Sequence, residues 1–376
     1  MKPMKIYYDE NMPFAEEFFG DLGELVPFAG RALTAEQAAD ADVLLVRSIT
    51  RVNEALLAAN KKLAFVGTAT IGVDHIDQAY LADRKISFYS APGCNAVSVA
   101  EYVISALAVM AERYLLDIFS LTVGIVGAGN TGSRLSEKLT ALGIKHVLCD
   151  PLLAEQGDTR DFVELEQALV CDVISLHVPL TREGPHATYH LLDRARLELL
   201  SDQQILINAC RGEVVDNRAL LAMKQKGHGL KLIWDVWENE PNILHDLIDY
   251  TEIATAHIAG YSIEGKARGT EMLYQALCRE LKIPVKWRLE QFLPQAGINQ
   301  VTINRNFNEI MLNQLVKMVY DVRRDDAIFR QQIHDLGFDL IRKTYPARRE
   351  FSSVTIAQNK QVKQGVPHRL GFYHAN

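Results

Sequence analysis

Cysteine is scarce in this 376-residue chain. The five residues are Cys94, Cys149, Cys171, Cys210 and Cys278, with no C-x-x-C pair among them. An odd, scattered set excludes a disulfide framework and a paired-cysteine zinc site, so no metal is expected and a reducing compartment fits. Positive charge is also short: the formal net charge is −7, which argues against an electrostatic nucleic-acid partner. Long apolar runs are missing. The longest, Ala96 to Ala111, contains Glu101 and is too short to span a bilayer, so no membrane partner is expected. Acidic residues arrive early, at Asp9 and Glu10, and no signal peptide is read, which leads to a cytoplasmic expectation. There is no internal repeat or low-complexity tract. With 48% hydrophobic and 23% charged residues, disordered, collagen-like and coiled-coil readings drop out as well.

What remains is a globular α/β chain long enough for two or three domains. Its charge is uneven: residues 286–376 carry +6 and residues 1–285 carry −13, so the tail has a character of its own. In the first 95 residues, β-rich runs at 5–8, 24–28, 43–47, 63–67 and 86–89 alternate with helical patterns. That alternation predicts a parallel sheet with helices on its faces. A long helix is expected from about Ala96 to Arg113. A second alternation predicts six strands, at 122–126, 146–149, 173–177, 205–208, 231–235 and 252–255, in a doubly wound sheet. A helix from about Ile263 to Leu281 points back to the first domain. In the tail, Asn308–Asp321 reads as an amphipathic helix and Phe351–Ile356 as a strand.

Gly127, Gly129 and Gly132 form G-x-G-x-x-G between an expected strand and an expected helix. The first glycine permits the tight turn, the second lets backbone approach a pyrophosphate, and the third allows close helix–strand packing. Asp150, 18 residues beyond Gly132, ends the next strand. A carboxylate there accepts hydrogen bonds from ribose hydroxyls and repels a 2′-phosphate, which favours NAD as cofactor.

Three polar residues follow later strands: Arg211, Glu240 and His257. Oxidation of a 2-hydroxy acid needs a cation for the carboxylate, a base for the hydroxyl proton and a group that orients the base. Arginine's planar fork, a histidine and a carboxylate suit these tasks. Taken singly, each also reads as a surface ion pair, a structural histidine or a loop acid. Asp235 reads either as a nicotinamide-amide partner or as a turn cap. His177–Thr181 reads as lining for the adenosine side or as a strand-ending turn.

The stretches Gly127–Gly132, His177–Thr181, Asn208–Asp216, Trp234–Pro241 and His257–Gly260 resemble the D-isomer-specific 2-hydroxyacid dehydrogenase family, over about residues 5–284. The runs Tyr8–Pro13, Val46–Ser48, Val66–Thr70, Ala91–Ala96, Asn208–Gly212, Ala259–Tyr261, Glu264–Thr270 and Tyr320–Asp326 resemble one branch of it, which oxidises a phosphorylated 2-hydroxy acid. The resemblance implies a flavodoxin-like substrate domain (1–95 and 257–284), a Rossmann NAD domain (96–256) and a C-terminal α+β dimerisation domain (285–376). It implies catalytic roles for Arg211, Glu240 and His257, with His257 moving the proton. It also implies cofactor contacts at Asn130, Thr131, Asp150, Val178, Asp235 and Gly260, and substrate contacts at Ser48, Thr70 and Tyr261. Val178 carries no hydroxyl and could bind only through its backbone. Ser48 and Thr70 also read as strand caps. Arg47, Arg348 and Arg349 are candidates for the phosphate, or else surface cations. A homodimer is implied by the resemblance, and the apolar stripe Ile310, Leu312, Leu315, Val316 and Val319 is its expected face. The alternatives are 3-phosphoglycerate dehydrogenase or another D-2-hydroxyacid dehydrogenase, and a non-catalytic NAD-sensing scaffold.

Overall fold

Short, almost wholly apolar runs become strands covered on both faces. Val43–Val46 and Phe65–Thr68, for instance, are buried at every position, as parallel strands between helix layers must be. The computed structural model describes residues 3–304, 306–358 and 365–374; residue 305 and residues 359–364, 375 and 376 of the expected C-terminal domain lie outside the described residues. The chain forms two compact units, Met1–Asn95 with Ser262–Pro294, and Ala96–Tyr261 with Gln295–Asn376.

The first unit is built on β1 (Lys5–Asp9), β2 (Glu24–Phe28), β3 (Val43–Val46), β4 (Phe65–Thr68) and β5 (Ser87–Tyr89). All pairs are parallel and the order is β2-β1-β3-β4-β5, the flavodoxin-like arrangement. The helix Ile263–Leu281 returns to this sheet. Its Ala267, Leu273, Tyr274 and Leu277 share a core with Ile6, Phe18, Phe19, Leu45 and Phe65.

The second unit holds β6 (Thr122–Val126), β7 (Lys145–Cys149), β8 (Val173–Leu176), β9 (Ile205–Asn208), β10 (Lys231–Trp234) and β11 (Ile253–Ala254). They are parallel, in the order β11-β10-β9-β8-β6-β7. The winding reverses at β6, so ligands are expected where β6 and β8 diverge at their carboxyl ends. Where a Rossmann sheet would place one more strand beyond β7, a single parallel bridge joins Leu148 to Phe162. The helix Ala96–Tyr114 belongs to this unit, with Ala96 and Ser98–Ala111 buried.

The tail adds β12 (Gln300–Ile303), β13 (Thr355–Gln358) and β14 (Tyr373–His374) in a small parallel sheet. It also adds the helices Glu309–Val319, Val322–Leu336 and Phe338–Lys343. The expected strand at Phe351–Ile356 is split. Phe351–Ser353 is a tight turn, and the strand starts at Thr355. A tertiary contact occupies the segment: the Phe351 N–H donates to the buried Glu101 side chain at 3.0 Å, and its ring stacks on Phe372 at 4.8 Å.

The expected dimer stripe is largely spent within the chain. Leu312, Leu315 and Val316 are buried in one core with Val103, Leu107 and Phe351, while Ile310 is exposed. Among the described residues, no helix is long and apolar enough to cross a membrane.

Candidate active site

The glycine turn is shaped as a cradle. Gly127 has φ +93°, and a Cβ there would meet the His177 carbonyl carbon at 2.6 Å and the Val178 nitrogen at 2.8 Å, so only glycine suits this left-handed, crowded position. A Cβ on Gly132 would lie 2.0 Å from the Gly127 carbonyl oxygen, whereas one on Gly129 would meet nothing within 4 Å. Gly129 therefore borders open space at the start of the helix Asn130–Leu142, whose N-terminus has no side-chain cap. Asn130 and Thr131 form its first turn, with Asn130 exposed. The uncapped N–H groups and the dipole favour a phosphate there. Asp150, just past β7, accepts from the Ala128 N–H at 2.9 Å and the Leu153 N–H at 3.1 Å, which fixes it beside the turn with lone pairs left for a ribose. These features fit a bound dinucleotide.

The carboxyl ends of three neighbouring strands carry the polar trio. Asn208, the last residue of β9, is fully buried; its Nδ2 donates to the Arg211 carbonyl at 3.0 Å and its Oδ1 accepts from the Cys210 N–H. The Arg211 loop presses on the loop after β10: a Cβ on Gly212 would lie 2.0 Å from the Trp237 carbonyl carbon. The Arg211 Nη1 donates to the Cys210 carbonyl at 2.7 Å.

Glu240 Oε1 accepts from the Trp237 N–H at 2.9 Å, and its Oε2 lies 2.7 Å from His257 Nδ1. Burial alone would raise the Glu240 carboxyl. Yet His257, Arg342 and the Trp237 amide together hold it below the usual carboxylate range. The pair is half-buried, with 32% of the His257 side chain and 20% of the Glu240 side chain exposed, so the imidazole remains accessible.

His257 itself sits at φ +56°, strained for a residue with a side chain. Its N–H donates to the Asp235 carbonyl at 2.7 Å. The Asp235 carboxylate accepts from the Ile258 N–H at 2.7 Å, the Ala259 N–H at 3.0 Å and the Thr255 hydroxyl at 2.7 Å. Burial pushes this carboxyl up, against the pull of His257 and those donors. Asp235 thus shapes the loop that presents His257, and both its oxygens serve that loop.

A glycine cradle for a dinucleotide and an acid-braced histidine on the same sheet are the marks of a dehydrogenase, and known proteins agree. Residues 108–259 match the family described as D-isomer specific 2-hydroxyacid dehydrogenase, NAD binding domain. The erythronate-4-phosphate dehydrogenase of Colwellia psychrerythraea is 64% identical, over 98% of this chain and 99% of its own. That of Tolumonas auensis is 57% identical over the same shares. The chain belongs to the D-isomer-specific 2-hydroxyacid dehydrogenase family, among its erythronate-4-phosphate dehydrogenases.

Solved members of the wider family share the fold. An NAD-bound 3-phosphoglycerate dehydrogenase from Entamoeba histolytica superposes with a TM-score of 0.64 at 25% identity, covering 77% of this chain and all of its own. An NAD-bound D-lactate dehydrogenase from Aquifex aeolicus gives 0.59 at 27% identity, covering 74% and 95%. About a quarter of this chain has no counterpart in either. Residues 292–371 match a separate family described only as a domain of unknown function (DUF3410).

Against this family pattern, the remaining expected positions fall as follows. Ser48 is exposed in the turn after β3. Thr70, just past the neighbouring β4, donates to the Gly72 carbonyl at 2.9 Å and touches Thr68 Oγ1 at 2.7 Å. Val178 reaches the cradle through its backbone, and Gly260 is buried between His257 and Tyr261. Arg47 donates to the Asn11 carbonyl at 3.0 Å.

Arg348 is 3% exposed; its Nη2 donates to the Ala259 carbonyl at 2.6 Å and the Ser98 carbonyl at 3.1 Å, and its guanidinium lies over the Tyr320 ring at 4.0 Å. It clamps the loop after His257 rather than facing solvent. Two contributors escaped the sequence reading. The Trp237 N–H that orients Glu240 carries no side-chain signature. Arg342, which donates to the Tyr261 hydroxyl at 3.0 Å, is one basic residue among 14 in the tail, with no spacing that marks it.

Proposed function

We propose that this protein oxidises 4-phospho-D-erythronate at C2 to 2-oxo-3-hydroxy-4-phosphobutanoate with reduction of NAD, a step of pyridoxal 5′-phosphate biosynthesis. The observation that carries the reading is the 2.7 Å Glu240–His257 pair at the carboxyl end of an NAD-binding sheet, in a chain 64% identical along its length to an enzyme of that name. Bound NAD supplies the hydride acceptor. The residues of the chain supply the rest.

Arg211 grips the carboxylate of the substrate and polarises the C2 oxygen, a task suited to a planar guanidinium. His257 Nε2 takes the C2 hydroxyl proton. Glu240 at Nδ1 fixes the tautomer and ring orientation, and its negative charge stabilises the imidazolium that forms. Such general-base help contributes roughly 10²–10⁴-fold. Asn130, Thr131, Asp150, Val178, Asp235 and Gly260 are assigned to the cofactor, and Ser48, Thr70 and Tyr261 to the substrate. Residues 1–95 with 257–284 are assigned as the substrate domain, 96–256 as the NAD domain and 285–376 as a dimerisation domain of a cytoplasmic homodimer. With the apolar stripe largely buried in its own chain, the dimer rests on the family pattern alone.

The test is NADH absorbance with the purified protein. Turnover of 4-phospho-D-erythronate at least tenfold above that of 3-phosphoglycerate is expected. Preference for 3-phosphoglycerate would assign the neighbouring activity, and NAD binding without flux on either acid would leave the scaffold reading.

A further inference from the structure

A phosphorylated 2-hydroxy acid is anionic at both ends, and Arg211 accounts for one of them. The tail brings a second guanidinium to the same loop cluster. Arg342 lies in the last turn of the helix Phe338–Lys343. Its Nη2 donates to the Tyr261 hydroxyl at 3.0 Å, and its guanidinium carbon is 5.6 Å from the centre of the Tyr261 ring. Burial works against the charge. The Tyr261 hydroxyl and the carboxylates of Glu240, Asp235 and Asp339 around it nevertheless raise its pKa above the ordinary value.

The guanidinium is under-used. An arginine offers five N–H donors, and buried charges are normally paired. Among the described residues, no carboxylate lies within ion-pair distance of Arg342, and its Nε is buried without a hydrogen-bond partner. Glu240 is committed to His257 and the Trp237 amide. Arg348 also has an unpartnered buried nitrogen, Nη1, but at 3% exposure it is enclosed by Ser98, Ala259 and Tyr320 and out of reach of a ligand.

We propose that Arg342, positioned by the Tyr261 hydroxyl, is the phosphate-binding residue of this site. The inference rests on the substrate proposed above. Nε and an Nη on one edge of the planar fork present parallel donors that match two phosphate oxygens. The Tyr261 hydroxyl accepts from Arg342 at 3.0 Å and so holds the fork in place. The C-terminal extension would then select for the phosphorylated acid as well as pack against the core.

The test compares Arg342→Gln with the unaltered full-length enzyme, in NAD, on 4-phospho-D-erythronate and on D-erythronate. The expected result is a fall in kcat/KM for the phosphorylated acid on the order of 100-fold, as for loss of one partner of a desolvated charge pair. The preference over D-erythronate should fall with it. Inorganic phosphate should inhibit the unaltered enzyme competitively and lose that effect on the variant; failure to inhibit the unaltered enzyme would count against the proposal. An equal fall on both acids, or a shifted pH profile with the preference intact, would make Arg342 a tuner of Glu240 and overturn the proposal.

Should the Gln variant not fold, Arg342→Lys keeps the charge and loses the fork. A preference lower by about tenfold is then expected, and full preference would equally overturn the two-point contact. The substrate reading fails separately, on the unaltered enzyme, if that enzyme does not oxidise 4-phospho-D-erythronate.

Discussion

Gly129→Ala should weaken NAD binding while leaving the fold alone, whereas the neighbouring Gly132→Ala should destabilise the fold. A methyl on Gly129 meets no protein atom within 4 Å, whereas one on Gly132 lies 2.0 Å from the Gly127 carbonyl oxygen and 3.1 Å from the Ile125 side chain. The open space at Gly129 is where the pyrophosphate must approach the backbone. Loss of hydrogen bonds to a charged group costs about 1.5–3 kcal/mol, so the Kd for NAD should rise about 10–150-fold.

At NAD 100 times its Kd, binding stabilises the native protein by about 2.7 kcal/mol, and a 100-fold weaker variant at that concentration gains about 0.4 kcal/mol. With roughly 2–4 °C per kcal/mol, NAD should raise the melting temperature by about 5–10 °C in the unaltered protein and about 1 °C in Gly129→Ala. Without NAD, Gly129→Ala should melt within a few degrees of the unaltered protein. Gly132→Ala, overpacked against backbone, should lose about 3 kcal/mol or more, about 6–12 °C on the same scale. Differential scanning calorimetry with and without NAD reads all of this. An undiminished NAD shift in Gly129→Ala would refute the cradle.

His257→Asn should lower kcat about 10²–10⁴-fold at saturating substrate while NAD still quenches tryptophan fluorescence; turnover within a few-fold of normal would remove His257 as the base. Glu101 gives a pH signature. Burial, only partly offset by Lys138 and the Phe351 amide, pushes its carboxyl up to about 7. A carboxyl whose folded pKa is raised favours the native state at low pH. Stability on the order of 3 kcal/mol should therefore fade as pH rises from about 4.5 to 7. Glu101→Gln should flatten that slope in urea titrations, and an unchanged slope would count against it. Truncation after Pro294 should give an aggregating protein rather than a clean monomer, because it strips Leu312, Val316, Phe351 and Phe372 from the core of the second unit; a soluble, NAD-binding fragment by light scattering would contradict this.

Local pattern made much of this molecule readable. Runs such as Val-Leu-Leu-Val at 43–46 and Ile-Leu-Ile-Asn at 205–208 have few conformations open to them except buried parallel strands, and both formed. The glycine turn was legible because its chemistry lies within six residues and each glycine answers a backbone constraint. The trio Arg211, Glu240 and His257 could be named from positions just past strands, since the order of strands in a doubly wound sheet brings their ends together.

The tail was read less well. The helix Val322–Leu336 buries Val322, Asp325, Phe329 and Ile333 at helical spacing, but the charged residues between them mask the period. The stripe around Leu312 marked a buried face without saying whether a second copy or the chain's own core would cover it.

Sequence alone determined the two α/β sheets, the dinucleotide turn and the placing of Glu240 and His257 just past neighbouring strands, because each depends on contacts between near neighbours or on rules of strand order. Only the tertiary structure decided where the basic tail packs. Arg342 meets Tyr261 across 81 positions, and Arg348 meets Ser98 across 250. A guanidinium carries no mark of its distant partner until packing of the whole chain brings the two together.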